Sequence, residues 1–132
     1  MQIAIDFDGT CVTHEYPEMG KDIGAVPVLQ WLVEQGHKLI LFTMRSGVTL
    51  EDAIGWFKLN RIELYGIQKD PLQHSWTKSP KAYAHVYIDD AALGCPLMYN
   101  PEVSSRPYVH WPSIRDMLTK LFEGKQLFVI DN

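Results

Sequence analysis

The sequence predicts an α/β domain built on a mainly parallel sheet. Three short runs carry that reading: "QIAIDF" (2–7), "HKLILFT" (37–43) and "AHVYIDD" (84–90). Each has strand length and is apolar on both faces, as strands buried in a parallel sheet are. Segments with helical periodicity separate and follow them, and that alternation is the mark of the α/β class. No repeat, low-complexity stretch or linker divides the 132 residues, a length that suits one domain, 1–132, with one core.

The first run is rich in isoleucine and stops at Gly9. Val26, Leu29, Leu32 and Val33 then recur at helical spacing until Gly36 breaks the pattern. After the second run, Leu50, Ala53, Ile54 and Phe57 fall at i, i+3, i+4 and i+7, with Thr49 as the expected N-cap. "LYGI" (64–67) is a weaker strand signal, as are "YVHW" (108–111) and "QLFVI" (126–130). Ile114, Met117, Leu118, Leu121 and Phe122 predict a last helix, with Ser113 as N-cap and Gly124 just past its end. Trp31, Trp56 and Phe57 are assigned to packing.

Composition bounds the function. Hydrophobic residues make up 46% and charged residues 21%, a globular mixture. The net charge of −4 gives no overall pull toward nucleic acid or anionic membranes. Two cysteines, Cys11 and Cys95, form no disulfide framework, so a reducing cytoplasm is the expected setting. The first residues do not read as a signal peptide, and no apolar stretch approaches the roughly 20 residues that span a bilayer. The five histidines show no metal-ligand spacing.

Polar residues gather where such a fold places function, beyond the carboxyl ends of the strands. Asp6 and Asp8 end the first strand, Thr43 the second, and Asp89 and Asp90 the third. Two carboxylates about 6–7 Å apart on one face of a strand repel by about 2.5 kcal/mol at an effective dielectric near 20. Four carboxylates at one edge ask for a hard divalent cation with oxygen ligands, and Mg²⁺ is the usual one where phosphate also binds.

"DFDGT", the strand ending in Thr43, Lys81 and "YIDDAALG", in that order, resemble the four-motif signature of the haloacid dehalogenase superfamily over about residues 2–94. The resemblance implies a Rossmann-like three-layer α/β/α sandwich and a Mg²⁺-dependent phosphatase acting on a phosphate monoester, here a small phosphorylated metabolite. The pattern Asp-x-Asp-x-Thr is met by Asp6, Asp8 and Thr10. By the same resemblance Asp6 is the nucleophile that forms an aspartyl-phosphate, and Asp8 is the general acid and then base. Thr43 and Lys81 hold the phosphoryl group. Lys81 is preferred over Lys78, which also precedes the last motif. The metal is implied at Asp6, the Asp8 carbonyl, Asp89 and Asp90. Arg45 and His14, beside the strand ends, are candidate substrate-binding residues.

Members of this superfamily insert cap modules at two points. Here "CVTHEYPEMGKDIGA" (11–25) suffices for a flap and "QKDPLQHSWTKSP" (68–80) is short and carries Pro71 and Pro80, so no cap domain is expected. An open site leaves room for a large substrate, for closure by a neighbouring subunit in a homo-oligomer, or for modest selectivity. Two other readings stand beside the metabolite phosphatase: a nucleic-acid end phosphatase, opposed by the acidic balance and the lack of a Lys/Arg run, and a non-catalytic binding or regulatory domain, opposed by the intact motifs.

Overall fold

The structure, a computed structural model, describes residues 1–124. In chain order the elements are β1 (Gln2–Ile5), α1 (Ala25–Glu34), β2 (Lys38–Leu41), α2 (Gly47–Leu59), β3 (Gly66–Ile67), a 3₁₀ turn (Gln73–Ser75), β4 (Val86–Ile88), β5 (Leu97–Met98), β6 (Tyr108–Val109) and α3 (Trp111–Phe122). Strands β1 to β4 form one all-parallel sheet in the order β3-β2-β1-β4. Strand β1 lies between β2 and β4, with Ile5 level with Leu41 on one side and Ile88 on the other. Strands β5 and β6 pair as a separate antiparallel ribbon. This is a small α/β fold without a cap, as the sequence predicts.

The two faces of the sheet are covered differently. Ile3, Ile5, Leu39, Leu41 and Ile88 join one core with Leu29 and Leu32 of α1, Phe57 of α2 and Leu118 of α3. Removing each such side chain from water contributes about 1.5–3 kcal/mol. Ala4 and Ile40, also buried, lie outside that core, as alternation along a strand requires. Their face is covered by the segment between β3 and β4. Tyr87 donates its hydroxyl hydrogen to the carbonyl of Ala82 across it at 2.6 Å. The buried Gln73 ties the segment together: its Oε1 accepts from the N–H groups of Asp70 and Tyr83, and its Nε2 donates to the carbonyls of Lys81 and Ser79. The third layer of the expected sandwich is thus a hydrogen-bonded strap with one 3₁₀ turn, where Pro71 and Pro80 exclude a continuous helix.

The strands are shorter than the apolar runs, so Asp6, Thr43 and Asp89 sit just past strand ends. Two caps differ from expectation. Helix α2 starts at Gly47 after Ser46, and Thr49 lies inside it, donating to the Ser46 carbonyl. Helix α3 starts at Trp111 after His110, with Pro112 in its first turn, where a missing N–H costs nothing, and Ser113 bonds His110 instead. The strand candidate at 126–130 lies outside the described residues. Among those described, no helix is long and apolar enough to cross a membrane.

Candidate functional site

Backbone bonds hold the three strand ends level: the Asp6 N–H donates to the Ile88 carbonyl at 3.0 Å and the Phe42 N–H to the Ile5 carbonyl at 2.8 Å. Beyond Phe7 the chain turns sharply, and the Phe7 carbonyl accepts from the N–H groups of Thr10 and Cys11. Gly9 takes φ +80°, and a Cβ there would run into the His14 ring and the Asp90 carboxylate. Only glycine fits, for both reasons. The turn is anchored from the far end of the chain. Trp111, fully buried, donates its indole N–H to the Thr10 carbonyl at 2.7 Å, and the Val109 N–H donates to the Gly9 carbonyl at 3.0 Å.

Thr10 is the hub of the acidic cluster. Its hydroxyl donates to Asp6 Oδ2 at 2.8 Å, lies 3.3 Å from Asp90 Oδ1, and accepts the Asp90 N–H at 3.0 Å. Asp6, Asp89 and Asp90 each present a carboxylate oxygen within 4.8 Å of the others. Burial, opposed by the Thr10 bond and reinforced by the charges of Asp89 and Asp90, pushes the Asp6 carboxyl up to about 8. Burial also raises Asp89. His14 Nε2 lies 3.0 Å from Asp90 Oδ2, which puts this residue at the cluster's rim. The thiol of Cys11, fully buried, donates to the Asp6 carbonyl and takes a packing role.

Asp8 belongs to a different arrangement. Its carboxylate turns away from that cluster and onto Arg45, whose Nε and Nη2 each reach one of its oxygens at 2.8 Å. This is the strong fork geometry of guanidinium and carboxylate. Arg45 is 1% exposed. Its remaining N–H groups donate to the carbonyls of Glu18 (2.8 Å), Thr49 (3.2 Å) and Pro17 (3.4 Å). All five donors are therefore engaged, and the guanidinium is packed between the rings of Phe7 and Tyr16. The structure thus gives Arg45 the work of a strut joining Asp8, the flap and α2, with no N–H left over for a substrate. It also supplies the cation near Asp8 that the sequence left to a metal.

The ends of β2 and β3 are joined by a residue no sequence pattern singled out. Gln68, at φ +66°, accepts the Thr43 N–H at 2.8 Å and donates to the Thr43 carbonyl at 2.6 Å and the Arg45 carbonyl at 3.3 Å. Thr43 Oγ1 in turn accepts the Arg45 N–H. Lys81 is not brought to the carboxylates. Ala82 turns inward, so Lys81 faces out, with its ammonium 5.3 Å from the centre of the Tyr87 ring. Among the described residues neither Lys81 nor Lys78 forms an ion pair.

Three carboxylates with hard oxygen donors, none of them paired with a lysine or arginine among the described residues, could hold a divalent cation of the Mg²⁺ or Ca²⁺ kind. Asp8 would not contribute its carboxylate, since Arg45 holds it turned away from the other three.

No protein-family model and no curated protein matches the sequence. Among solved structures, a conserved protein from Bacteroides thetaiotaomicron is 36% identical, with a TM-score of 0.76 over 96% of this chain and 93% of that one. The chain belongs to that protein's family. The likeness extends over nearly the whole of both chains, so the two share one fold.

Proposed function

We propose that the protein is a Mg²⁺-dependent phosphatase of the haloacid dehalogenase type, hydrolysing a small phosphate monoester through an aspartyl-phosphate. The single observation that carries this reading is the convergence of Asp6, Asp89 and Asp90 within 4.8 Å at the strand ends, with Asp8 beside them but separately oriented by Arg45. A bound cation at the three carboxylates would offset their mutual repulsion and the negative charge of the phosphoryl group.

In this reading a bound cation would keep Asp6 ionised, and an oxygen of that carboxylate attacks phosphorus as the bond to the leaving alcohol breaks. Asp6 Oδ2 is steadied by Thr10, which leaves Oδ1 for attack. Asp8, which enters the cycle protonated, delivers its proton to the leaving oxygen and regains one from the water that hydrolyses the acyl-phosphate. Arg45 fixes the direction in which Asp8 presents its oxygens. Thr43 offers its hydroxyl to the phosphoryl oxygens, and Gln68 sets its backbone. Lys81 reaches from Tyr87 on its flexible stem to offset phosphoryl charge. The protein acts away from membranes and in the cytoplasm.

A phosphate-release screen tests this directly. Sugar phosphates, nucleotides and aryl phosphates with Mg²⁺ should include substrates, and chelation by EDTA should abolish turnover until Mg²⁺ is returned. Absence of phosphate release from every class, or undiminished release in EDTA, would overturn the reading.

A further inference from the structure

This inference rests on the phosphatase reading and names its substrate class. We propose that Tyr16 is a stacking platform for a planar ring on the leaving group, so that the substrates are phosphomonoesters of ring-bearing alcohols, of which nucleoside monophosphates are the type.

The Arg45 guanidinium carbon lies 5.1 Å from the centre of the Phe7 ring and 5.2 Å from that of Tyr16. The two rings have opposite fates. Phe7 is fully buried, while Tyr16 is 62% exposed. Tyr16 is therefore backed by a cation on one side and open to solvent over most of its surface. Among the described residues its hydroxyl makes no hydrogen bond, so the ring and not the phenol oxygen holds it in place.

The platform is fixed in advance. The carbonyls of Pro17 and Glu18, which follow Tyr16, accept from the same guanidinium. The flap is cross-braced where the Thr13 N–H donates to the Lys21 carbonyl and the Lys21 N–H to Thr13 Oγ1. Gly20 lies against the Thr13 backbone, where a Cβ would collide. A ring already ordered in this way binds a flat partner at small entropic cost. Its position gives it a purpose. The group that holds Tyr16 also holds both oxygens of Asp8, so the ring stands one guanidinium away from the carboxylate that handles the leaving oxygen. Met44, almost wholly exposed between Thr43 and Arg45, adds an adaptable apolar edge on the adjoining loop. Stacking of a base on an aromatic side chain tolerates any base, because every base has a π-face. The platform therefore selects a ring, not one particular nucleotide.

The test compares kcat/KM for a 5′-nucleoside monophosphate and for glycerol phosphate, with Mg²⁺, in the wild type, Tyr16→Phe, Tyr16→Leu and Tyr16→Ala. The loss on the nucleotide should exceed that on glycerol phosphate at least fivefold in Tyr16→Ala and Tyr16→Leu, and Tyr16→Phe should keep the preference. Equal losses on both substrates, or Tyr16→Phe failing like Tyr16→Ala, would overturn the platform and leave the phosphatase reading standing. A 5′-phosphorylated oligonucleotide carries the same ring, and whichever of it and the free nucleotide turns over faster names the source. If no monoester is hydrolysed, the phosphatase reading fails, and calorimetric titration with the nucleotide decides the platform alone. Binding weakened by Tyr16→Ala sustains it, and binding absent or unchanged overturns it.

Discussion

Asp6 and Asp8 leave the same strand end two residues apart, and the chain surrounds them in opposite ways. Asp6 sits with two further carboxylates and one hydroxyl, and its carboxyl is pushed up to about 8, chiefly by burial. Asp8 is gripped by a buried guanidinium at 2.8 Å on each oxygen. The difference teaches that an Asp-x-Asp pair is two sites rather than one. Among the described residues the first half pairs with no lysine or arginine, and the proposed reading fills that place with a cation from solution. The second carries its own cation, and that cation also fixes the flap. The proposed reaction would use such a division, with one group meeting phosphorus while the other meets the leaving oxygen.

The largest effect should come from removing the built-in cation. Arg45→Ala leaves the Asp8 carboxylate and three carbonyls without their donor, and breaking a buried pair in this way costs about 3–5 kcal/mol. Urea denaturation at pH 7 measures it. A loss below about 1 kcal/mol, the value of an exposed pair, would erase the distinction between the two halves.

Next in size is the response to metal. Mg²⁺ at 100 times its Kd should stabilise the wild type by about 2.7 kcal/mol, seen as a rise in Tm. An Asp89→Asn/Asp90→Asn double variant should show none of this rise, while Arg45→Lys should retain it. Equal responses in all three would place the ion elsewhere.

A pH series sharpens the comparison further. The folded chain keeps a proton on Asp6 up to about 8, whereas the unfolded carboxyl has lost it above 3.8. The native state binds more protons between those values, so the stability of the metal-free protein falls as pH rises through that window. Asp6→Asn carries no such proton. Its stability gain over the wild type should therefore grow from about pH 4 to about pH 8 and level off above, reaching on the order of 1 kcal/mol or more. Thermal melting in EDTA across that range reads it, and a gain independent of pH would contradict the environment assigned to Asp6.

The smallest effect concerns the outer lysines. Lys81→Ala should lower kcat about tenfold more than Lys78→Ala, with Tm unchanged in both, since neither side chain is buried. Equal effects would remove the preference for Lys81.

Much of this arrangement is legible in the sequence, for local reasons. Ile3, Ile5, Leu39 and Leu41 announce their strands because parallel pairing buries both faces, and Leu29, Leu32 and Phe57 announce their helices by spacing. The acidic residues follow, since strand ends in such a sheet converge. What the sequence hides acts over long chain separations without periodicity. Gln68 and Gln73 hold loops through single amide groups, and nothing in a local window distinguishes them from surface glutamines. Trp111 steadies Thr10 from 101 residues away. Arg45 is readable as a cation at the active edge, but its partners Asp8, Glu18, Pro17 and Thr49 come from three segments, and only the folded chain shows that they use every donor. The caps at Ser46 and His110 escape because neither uses its side chain to cap the helix.

The division between the two aspartates is tested most directly by trapping the covalent species. Enzyme mixed with a hydrolysed monoester and Mg²⁺, quenched in acid and digested, should carry phosphate on Asp6, more of it in Asp8→Asn, and none in Asp6→Asn. Phosphate on Asp8, or full turnover in Asp6→Asn, would contradict the assignment.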